Sequence, residues 1–225
     1  LELPAPPQPL TVTPPLCILG MVASPKDLPA LDVEREKRRI ETALADLATK
    51  GLVQVTWIEG QTWQDLQQAL TAGCWHIFHF IGHGGFRADS NEGVIVLEDE
   101  TGQADYLSAT QLGMLLSDHR WLRLVVLDSC EGARGSGHES FSSTAGTLVR
   151  QGIPAVLANQ YAISDAAAMA FSSTFYRALA EGRAVDTAVS EARKAIALGE
   201  QRQWNGRCQR CICIRLTASS FICPR

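Results

Sequence analysis

Short apolar runs alternate with amphipathic segments along most of this chain. The apolar runs are too short for helices, and proline or glycine bounds several of them, which is typical of buried strands. Between the runs, apolar residues recur at helical spacing, as Ile40, Leu44 and Leu47 do before Gly51. This alternation predicts an α/β fold with a mostly parallel central sheet and helices on both faces. The predicted strands cover residues 16–22, 52–58, 75–81, 122–128 and 155–159.

Two of the predicted strands run directly into reactive residues. The third leads into Gly82-His83-Gly84-Gly85, and the fourth leads into Ser129-Cys130-Glu131-Gly132. Sites in parallel α/β sheets lie at the carboxyl ends of strands, so His83 and Cys130 are expected at the same edge. A cysteine attacks as a thiolate and needs a base nearby, and glycine beside the histidine lets a substrate backbone approach closely. The pattern therefore predicts nucleophilic cysteine chemistry.

Four segments, taken together, carry a family resemblance. They are FHFIGHG at 78–84, LDSCEGA at 127–133, AVLANQ at 155–160 and FYRALAEG at 175–182. In their order and spacing they resemble the CHAT domain, a caspase-like peptidase module often found beside tetratricopeptide repeats in bacteria. His83 precedes Cys130 by 47 residues, close to the roughly 50 residues of the caspase arrangement. The resemblance covers roughly residues 16–200 and implies a caspase-like three-layer sandwich.

The resemblance also implies roles for individual residues. Cys130 matches the nucleophile, and His83 matches the general acid/base that protonates the leaving amine. The N–H groups of Gly84 and Cys130 match the oxyanion hole, and no third catalytic residue, metal or cofactor is implied. Asp128 matches the acidic residue that lines the pocket for a basic P1 side chain in the related metacaspases, where a carboxylate pairs with Arg or Lys. Alternatively, Asp128 caps a neighbouring backbone group or orients the loop.

Two functions from different classes follow from these assignments. The leading prediction is a cysteine endopeptidase that acts on a protein or peptide substrate and is regulated by an upstream sensor or repeat domain in a longer chain. The alternative is a catalytically inactive caspase-like interaction module, in which Cys130 is a core cysteine and His83 a turn histidine between glycines. The presence of both residues favours the peptidase, and an unusual C-terminal tail favours the module.

Composition restricts the kinds of partner and the cellular compartment expected for this chain. The net charge of −4 offers no basic surface for nucleic acid, and no apolar run approaches the roughly 18 residues that span a bilayer. Seven cysteines, an odd number in a long chain, do not resemble a secreted disulfide framework and predict a reducing cytoplasm. The mixed charges at 34–39 predict a solvated helix face, and Cys17 and Cys74 are expected in the core.

The two ends of the chain differ from its centre. Six of the ten prolines fall within residues 1–15, which predicts an extended linker before a peptidase domain at 16–204. The tail at 205–225 departs from the closing strand that is usual in the family this chain resembles. A shifted reading frame starting at Arg207 and Cys208 can encode the family's Val-Pro-Ala-Val-Tyr-Leu ending, so we interpret the tail as a possible frameshift product.

The tail nevertheless keeps two local patterns. Ile212, Ile214 and Leu216 alternate, so they can still pair as a substitute strand. Four cysteines invite a zinc interpretation, but their spacing does not match two paired zinc knuckles, and no metal site is predicted. These cysteines are Cys208, Cys211, Cys213 and Cys223.

Overall fold

Strands and helices lie close to where the apolar runs and helical spacings predict them. The computed structural model describes residues 10–11, 13–129, 141–159, 165–199, 212–216 and 221–222. The strands are β1 Leu10–Thr11, β2 Leu16–Val22, β3 Val53–Trp57, β4 Ile77–Arg87, β5 Glu92–Glu98, β6 Ala104–Ser108, β7 Leu124–Ser129, β8 Ala155–Asn159, β9 Ile212–Leu216 and β10 Phe221–Ile222. The helices are α1 Val33–Thr49, α2 Trp63–Thr71, α3 Ala109–Ser117, α4 Ser142–Arg150, α5 Asp165–Ala180 and α6 Val185–Gly199.

The central sheet has the strand order β3-β2-β4-β7-β8-β9. Strands β3, β2, β4, β7 and β8 are parallel to one another, and β9 is antiparallel to β8. Crossover helices connect the parallel strands, as a parallel ladder requires. The predicted mostly parallel α/β sheet is therefore confirmed.

Side chains along each strand divide between two apolar cores, because successive residues point to opposite faces of a sheet. Ile77 and Ile81 of β4 lie in the core covered by α1, α5 and α6, which we call the first face. Phe78 and Phe80 lie in the core covered by α2, α3 and α4, the second face. A sheet between two helical layers is the predicted three-layer sandwich.

Local sequence signals fix the starts of three helices. Thr62 with Asp65, and Ser108 with Gln111, form complete capping boxes at α2 and α3. At α1, the Asp32 side chain accepts a hydrogen bond from the Arg35 N–H. These caps set the lengths of the connections that follow the strands.

Strand β4 is longer than predicted. We expected a strand over residues 75–81, but β4 continues through the glycine-rich segment to Arg87. From Ile77 to Gly82 it pairs with β7, and from His83 onwards it pairs antiparallel with β5, which in turn pairs with β6. The glycines resemble a turn in sequence, but here they accommodate bulky neighbours: a Cβ atom at Gly82 would crowd the Phe80 ring.

The tail and the linker region both contribute strands. Strand β9 pairs with β8 through Ile214 opposite Leu157 and Leu216 opposite Ala155, so the alternating tail residues do form a substitute strand. Strand β1, within the predicted linker, pairs in parallel with β10. The division into linker, domain and tail stays a prediction, as does the frameshift.

Two smaller predictions about the cysteines are wrong. Cys74 is an exposed free thiol, and Cys17 is a half-buried one. The Cys17 N–H donates to His76 Nδ1 over 3.0 Å at the start of the sheet, so this residue lies at the edge of the core. In the described part of the chain, no helix combines the length and apolar character needed to cross a membrane.

Candidate active site

His83 lies where β4 passes from the parallel sheet to the antiparallel extension. The last pair with β7 is Gly82 opposite Ser129, and the next residue, His83, pairs with Val96 of β5. By alternation, His83 points to the first face, on the same side as Ile81 and His79. Its side chain is only 6% exposed. The end of the parallel pairing with β7 thus places the imidazole at the carboxyl edge of the parallel sheet, while β4 itself continues to Arg87.

One ring nitrogen of His83 has a defined partner. Nε2 lies 2.9 Å from the carbonyl oxygen of Pro29. A carbonyl oxygen can only accept a hydrogen bond, so Nε2 carries the hydrogen in this contact. In a neutral imidazole the other nitrogen, Nδ1, is then the proton acceptor. The Pro29 carbonyl therefore orients the ring and selects its tautomer.

The loop that carries Pro29 is itself held in place. Lys26 N–H donates to the Gly102 carbonyl over 3.0 Å, and Asp27 Oδ1 accepts from the Ala104 N–H over 2.8 Å. Further along, the Leu31 N–H donates to Ser24 Oγ over 2.9 Å. Because these bonds fix the loop on both sides of Pro29, its carbonyl presents a positioned acceptor to His83.

The predicted nucleophile, Cys130, lies outside the described residues, as does its N–H in the predicted oxyanion hole. Strand β7 is described up to Ser129, the residue bonded to Cys130. In β7, Asp128 pairs with Ile81 and Ser129 with Gly82. The register therefore brings the end of β7 level with the start of the His83 segment.

Gly84, the other predicted oxyanion residue, lies in the antiparallel part of β4 opposite Ile95. A Cβ atom at this position would overlap the ring of Phe141, the residue that precedes α4 and is itself fully buried. The absence of a side chain thus lets the start of α4 pack directly on β4. The sequence argument for this glycine concerned substrate approach, and packing adds a second requirement at the same position.

Asp128 belongs to a buried group of charges. Its Oδ2 lies 3.2 Å from Nη2 of Arg39, and the same nitrogen lies 2.8 Å from Oε2 of Glu36. All three side chains are at most 9% exposed. The prediction of a solvated helix face over 34–39 is therefore wrong for Glu36 and Arg39, whereas Glu34 and Arg38 are exposed. Two formal negative charges share one guanidinium here.

A second buried polar pair lies deeper on the first face. His79 Nδ1 and the Tyr176 hydroxyl are 2.7 Å apart. Burial, together with the nearby Arg39 charge, lowers the pKa of His79 to about 3, and burial and Asp128 raise the pKa of Tyr176 above its usual value. Both residues are therefore neutral at physiological pH. Since Arg39 and Asp128 act on this pair, the two buried groups form one electrostatic neighbourhood.

Over the described ranges, no group of three His, Cys, Asp or Glu side chains could hold a metal ion. Of the tail cysteines, Cys208, Cys211 and Cys223 lie outside the described residues, and only the backbone of Cys213 is described. The expectation that the tail holds no metal stays a prediction.

The sheet order, the three layers and the strand-end histidine define a caspase-like α/β fold. A sequence model of one family, the CHAT domain, matches residues 8–220. The chain therefore belongs to the CHAT domain family. A comparison with curated proteins finds no match.

Solved structures with a similar fold are caspase-like cysteine peptidases. The structure of pro-sf-caspase-1 is 11% identical, with a TM-score of 0.54 over 99% of both chains. The Drosophila initiator caspase Dronc is 10% identical, with a TM-score of 0.49 over 92% of this chain and 82% of that one. The Saccharomyces cerevisiae separase–securin complex is 18% identical, with a TM-score of 0.49 over 97% of this chain. The chain spans 12% of the separase chain. At 11% identity, the likeness to pro-sf-caspase-1 shows the fold alone.

Sequence reasoning did not find two contributors to the site. The Pro29 carbonyl is a backbone group with no side-chain signature, and Arg39 lies 89 residues from its partner Asp128. A signal for Arg39 was present, because it follows Glu36 by three residues and precedes the apolar Ile40 on the buried stripe of α1. Helical spacing alone therefore places Arg39 at the margin of the core face.

Proposed function

We propose that this chain is a cysteine endopeptidase in which Cys130 is the nucleophile and His83 transfers the protons. The observation that carries the proposal is the hydrogen bond from His83 to a fixed carbonyl at the point where β4 leaves the parallel sheet. The Nε2–Pro29 bond leaves Nδ1 as the basic nitrogen, which is the property a general base needs.

Chain connectivity supports the other half of the dyad. Ser129 is opposite Gly82, paired strands lie about 4.8 Å apart, and successive Cα atoms are about 3.8 Å apart. The Cα atoms of Ser129 and Gly82 are therefore neighbours, and Cys130 and His83 are the next residues along their chains. From such starting positions, we expect side-chain rotation to be enough to bring the thiol to the imidazole.

The proposed reaction follows from these two groups. Nδ1 of His83 takes the Cys130 proton, and the thiolate attacks the scissile carbonyl carbon to give a tetrahedral oxyanion. When the C–N bond breaks, Nδ1–H gives its proton to the leaving amine. Water then gives a proton to Nδ1 and attacks the thioester, and the departing sulfur takes that proton back. One water molecule is consumed, and an amine and a carboxylic acid are released.

The oxyanion needs donors that are in place before the reaction. We assign this role to the backbone N–H groups of Gly84 and Cys130. The contact between Gly84 and the Phe141 ring at α4 supports the assignment, because a packed strand holds its N–H in a fixed direction. A larger residue at 84 would displace α4 or the strand and so misplace that donor.

For substrate preference, we propose that Asp128 attracts a basic P1 side chain. Asp128 is a buried carboxylate at the end of β7, and its Oδ2 contacts Nη2 of Arg39. A P1 Arg or Lys that reaches this carboxylate would form a charge-assisted bond worth about 1.5–3 kcal/mol, or roughly 10- to 150-fold in kcat/KM. The same pair also orients the end of β7, so Asp128 has a structural role whichever P1 residue is bound.

The P1 proposal has a direct test. We expect peptides with Arg or Lys at P1 to be cleaved faster than matched peptides with citrulline or Met, and Asp128→Asn to remove most of that difference. Equal rates for charged and neutral P1 residues in the wild-type chain would exclude the preference. Regulation by an upstream sensing domain and a cytoplasmic location stay predictions.

The peptidase proposal itself is tested with a peptidyl electrophile. We expect a peptidyl acyloxymethyl ketone to label the folded chain, and Cys130→Ala and His83→Ala to abolish labelling while circular dichroism shows that both variants are folded. Cys74→Ala is the matched control, because Cys74 is an exposed thiol just before the start of β4, away from the carboxyl ends of the strands. Its removal should leave site-specific labelling in place. Labelling that depends on Cys74 but not on Cys130 would support the inactive interaction module instead.

A further inference from the structure

The antiparallel extension beside His83 presents an exposed tyrosine in the same cross-strand row. His83 pairs with Val96 of β5, and Val96 pairs with Tyr106 of β6. Residues directly opposite in antiparallel strands point to the same face and lie about 4.5–5.5 Å apart. The Tyr106 Cα is therefore on the order of 10 Å from that of His83. Val96 is only 3% exposed, whereas Tyr106 is 48% exposed.

Strand β6 is anchored at both ends, so the tyrosine has a fixed position. At its start, Ala104 N–H donates to Asp27 Oδ1 over 2.8 Å. At its end, Ser108 caps helix α3 and accepts from the Gln111 N–H over 3.2 Å. A tyrosine has few rotatable bonds and offers a large amphipathic surface, which suits it to binding peptide side chains.

The extension lies on the side of β4 away from β7. Glu98, at the end of β5, accepts from the N–H of Ser24, just after β2, and donates its own N–H to the carbonyl of Gln61, beyond β3. In the sheet order, β2 and β3 are on one side of β4 and β7 is on the other. His83 therefore lies between β7, which leads to Cys130, and the β5–β6 extension.

This arrangement fixes the direction in which a substrate must run. In the proposed reaction the acyl part is bonded to Cys130, and the leaving amine receives its proton from His83. The residues after the scissile bond must therefore leave from His83 on the side away from β7, across Val96 and towards Tyr106. An extended peptide advances about 3.3 Å per residue, so its second or third residue after the scissile bond reaches the tyrosine.

We infer that Tyr106 is a specificity-determining residue for the primed side of the substrate. Its ring binds an apolar or aromatic side chain at the second or third position after the scissile bond. The inference rests on the proposed peptidase function, since it uses the separate positions of nucleophile and proton donor.

The test compares two substrates with the same unprimed residues. One is a fluorescence-quenched peptide with Phe at the second and third primed positions, and the other is a peptidyl aminomethylcoumarin, which has no primed residues. We expect Tyr106→Ser to lower the ratio of kcat/KM for the peptide over that for the coumarin by roughly five- to twentyfold, and Tyr106→Phe to restore most of it. Thermal unfolding of each variant shows whether the fold is kept.

A matched control and two distinct failures make the result decisive. Trp121 is 53% exposed but lies ahead of β7, at the opposite end of the sheet, so Trp121→Ser should keep the wild-type ratio. If Tyr106→Ser lowers both rates equally, or neither, the primed-side inference is wrong while the peptidase stands. If Cys130-dependent cleavage is absent for both substrates in the wild-type chain, the proposed function fails and this inference with it.

Discussion

The two faces of strand β4 carry different chemistry. On the second face, Phe78 and Phe80 are fully buried among apolar side chains. On the first face, His79 and His83 alternate with Ile77 and Ile81. Within the described residues, the buried charged side chains also lie on this face: Glu36 and Arg39 on α1, and Asp128 on β7. One strand therefore anchors the core with one set of side chains and supplies the site with the other.

The largest expected difference between the faces is catalytic. His83→Ala should lower kcat/KM for a fluorescence-quenched peptide by about 10²- to 10⁴-fold, because it removes the group that moves both protons. It should cost at most about 1.5 kcal/mol in stability, through loss of the bond to Pro29. Urea unfolding and steady-state kinetics measure the two effects. The control His76→Ala removes a histidine at the other end of the strand, and comparable losses for both variants would contradict the assignment.

Substitutions in the core of the second face should lower the free energy of unfolding. Phe78→Ala removes a fully buried ring and should lower the free energy of unfolding by about 3–5 kcal/mol. Phe86 on the same strand is 47% exposed, so Phe86→Ala should cost under about 1 kcal/mol. Chemical denaturation of both variants provides the comparison. Equal losses would mean that the second face is not a packed core at Phe78.

Removing the cation from the buried charge group should lower the free energy of unfolding by slightly less. Arg39→Met leaves Glu36 and Asp128 without their shared cation and should destabilise the fold by about 3 kcal/mol. Arg38→Met, the exposed neighbour on α1, should stay within about 0.5 kcal/mol. Denaturation midpoints at pH 7 distinguish the two. A negligible effect of Arg39→Met would show that the pair with Asp128 contributes nothing to holding β7 against α1.

The effect of His79 is the smallest at neutral pH and grows only as the pH falls. Its pKa is lowered to about 3 in the fold, so below pH 6.5 the unfolded chain binds a proton that the folded chain does not. This contribution to stability is fully present above pH 6.5 and falls as the pH drops towards 3, by at most about 1.4 kcal/mol per pH unit. His79→Gln should flatten the profile of unfolding free energy over that range. Parallel profiles for the two chains would be evidence that His79 is not buried as a neutral ring.

Much of the fold could be predicted because its signals are local. Strand β2 has the predicted bounds, since a proline pair precedes its apolar run, and the two capping boxes mark α2 and α3. The extension of β4 could not be predicted, because Gly82 and Gly84 resemble a turn until the rings of Phe80 and Phe141 occupy the space beside them.

The site divides in the same way. The position of His83 at the carboxyl edge of the parallel sheet followed from the motif, because the predicted third strand leads directly into Gly82-His83-Gly84-Gly85. The Arg39–Asp128 pair and the Pro29 carbonyl depend on contacts 89 and 54 residues apart in sequence, and no periodicity reports such contacts. Residues that act through distant partners are therefore where sequence reasoning stops.

The most direct test of the account is the distance between His83 Nδ1 and Cys130 Sγ in a crystal structure of the chain bound to a covalent peptidyl inhibitor. We predict that the sulfur is bonded to the inhibitor carbon and that Nδ1, not Nε2, faces it within about 4 Å, with Nε2 still bonded to the Pro29 carbonyl. A sulfur on the second face of the sheet, or one more than about 7 Å from either ring nitrogen with the inhibitor elsewhere, would contradict the proposed dyad.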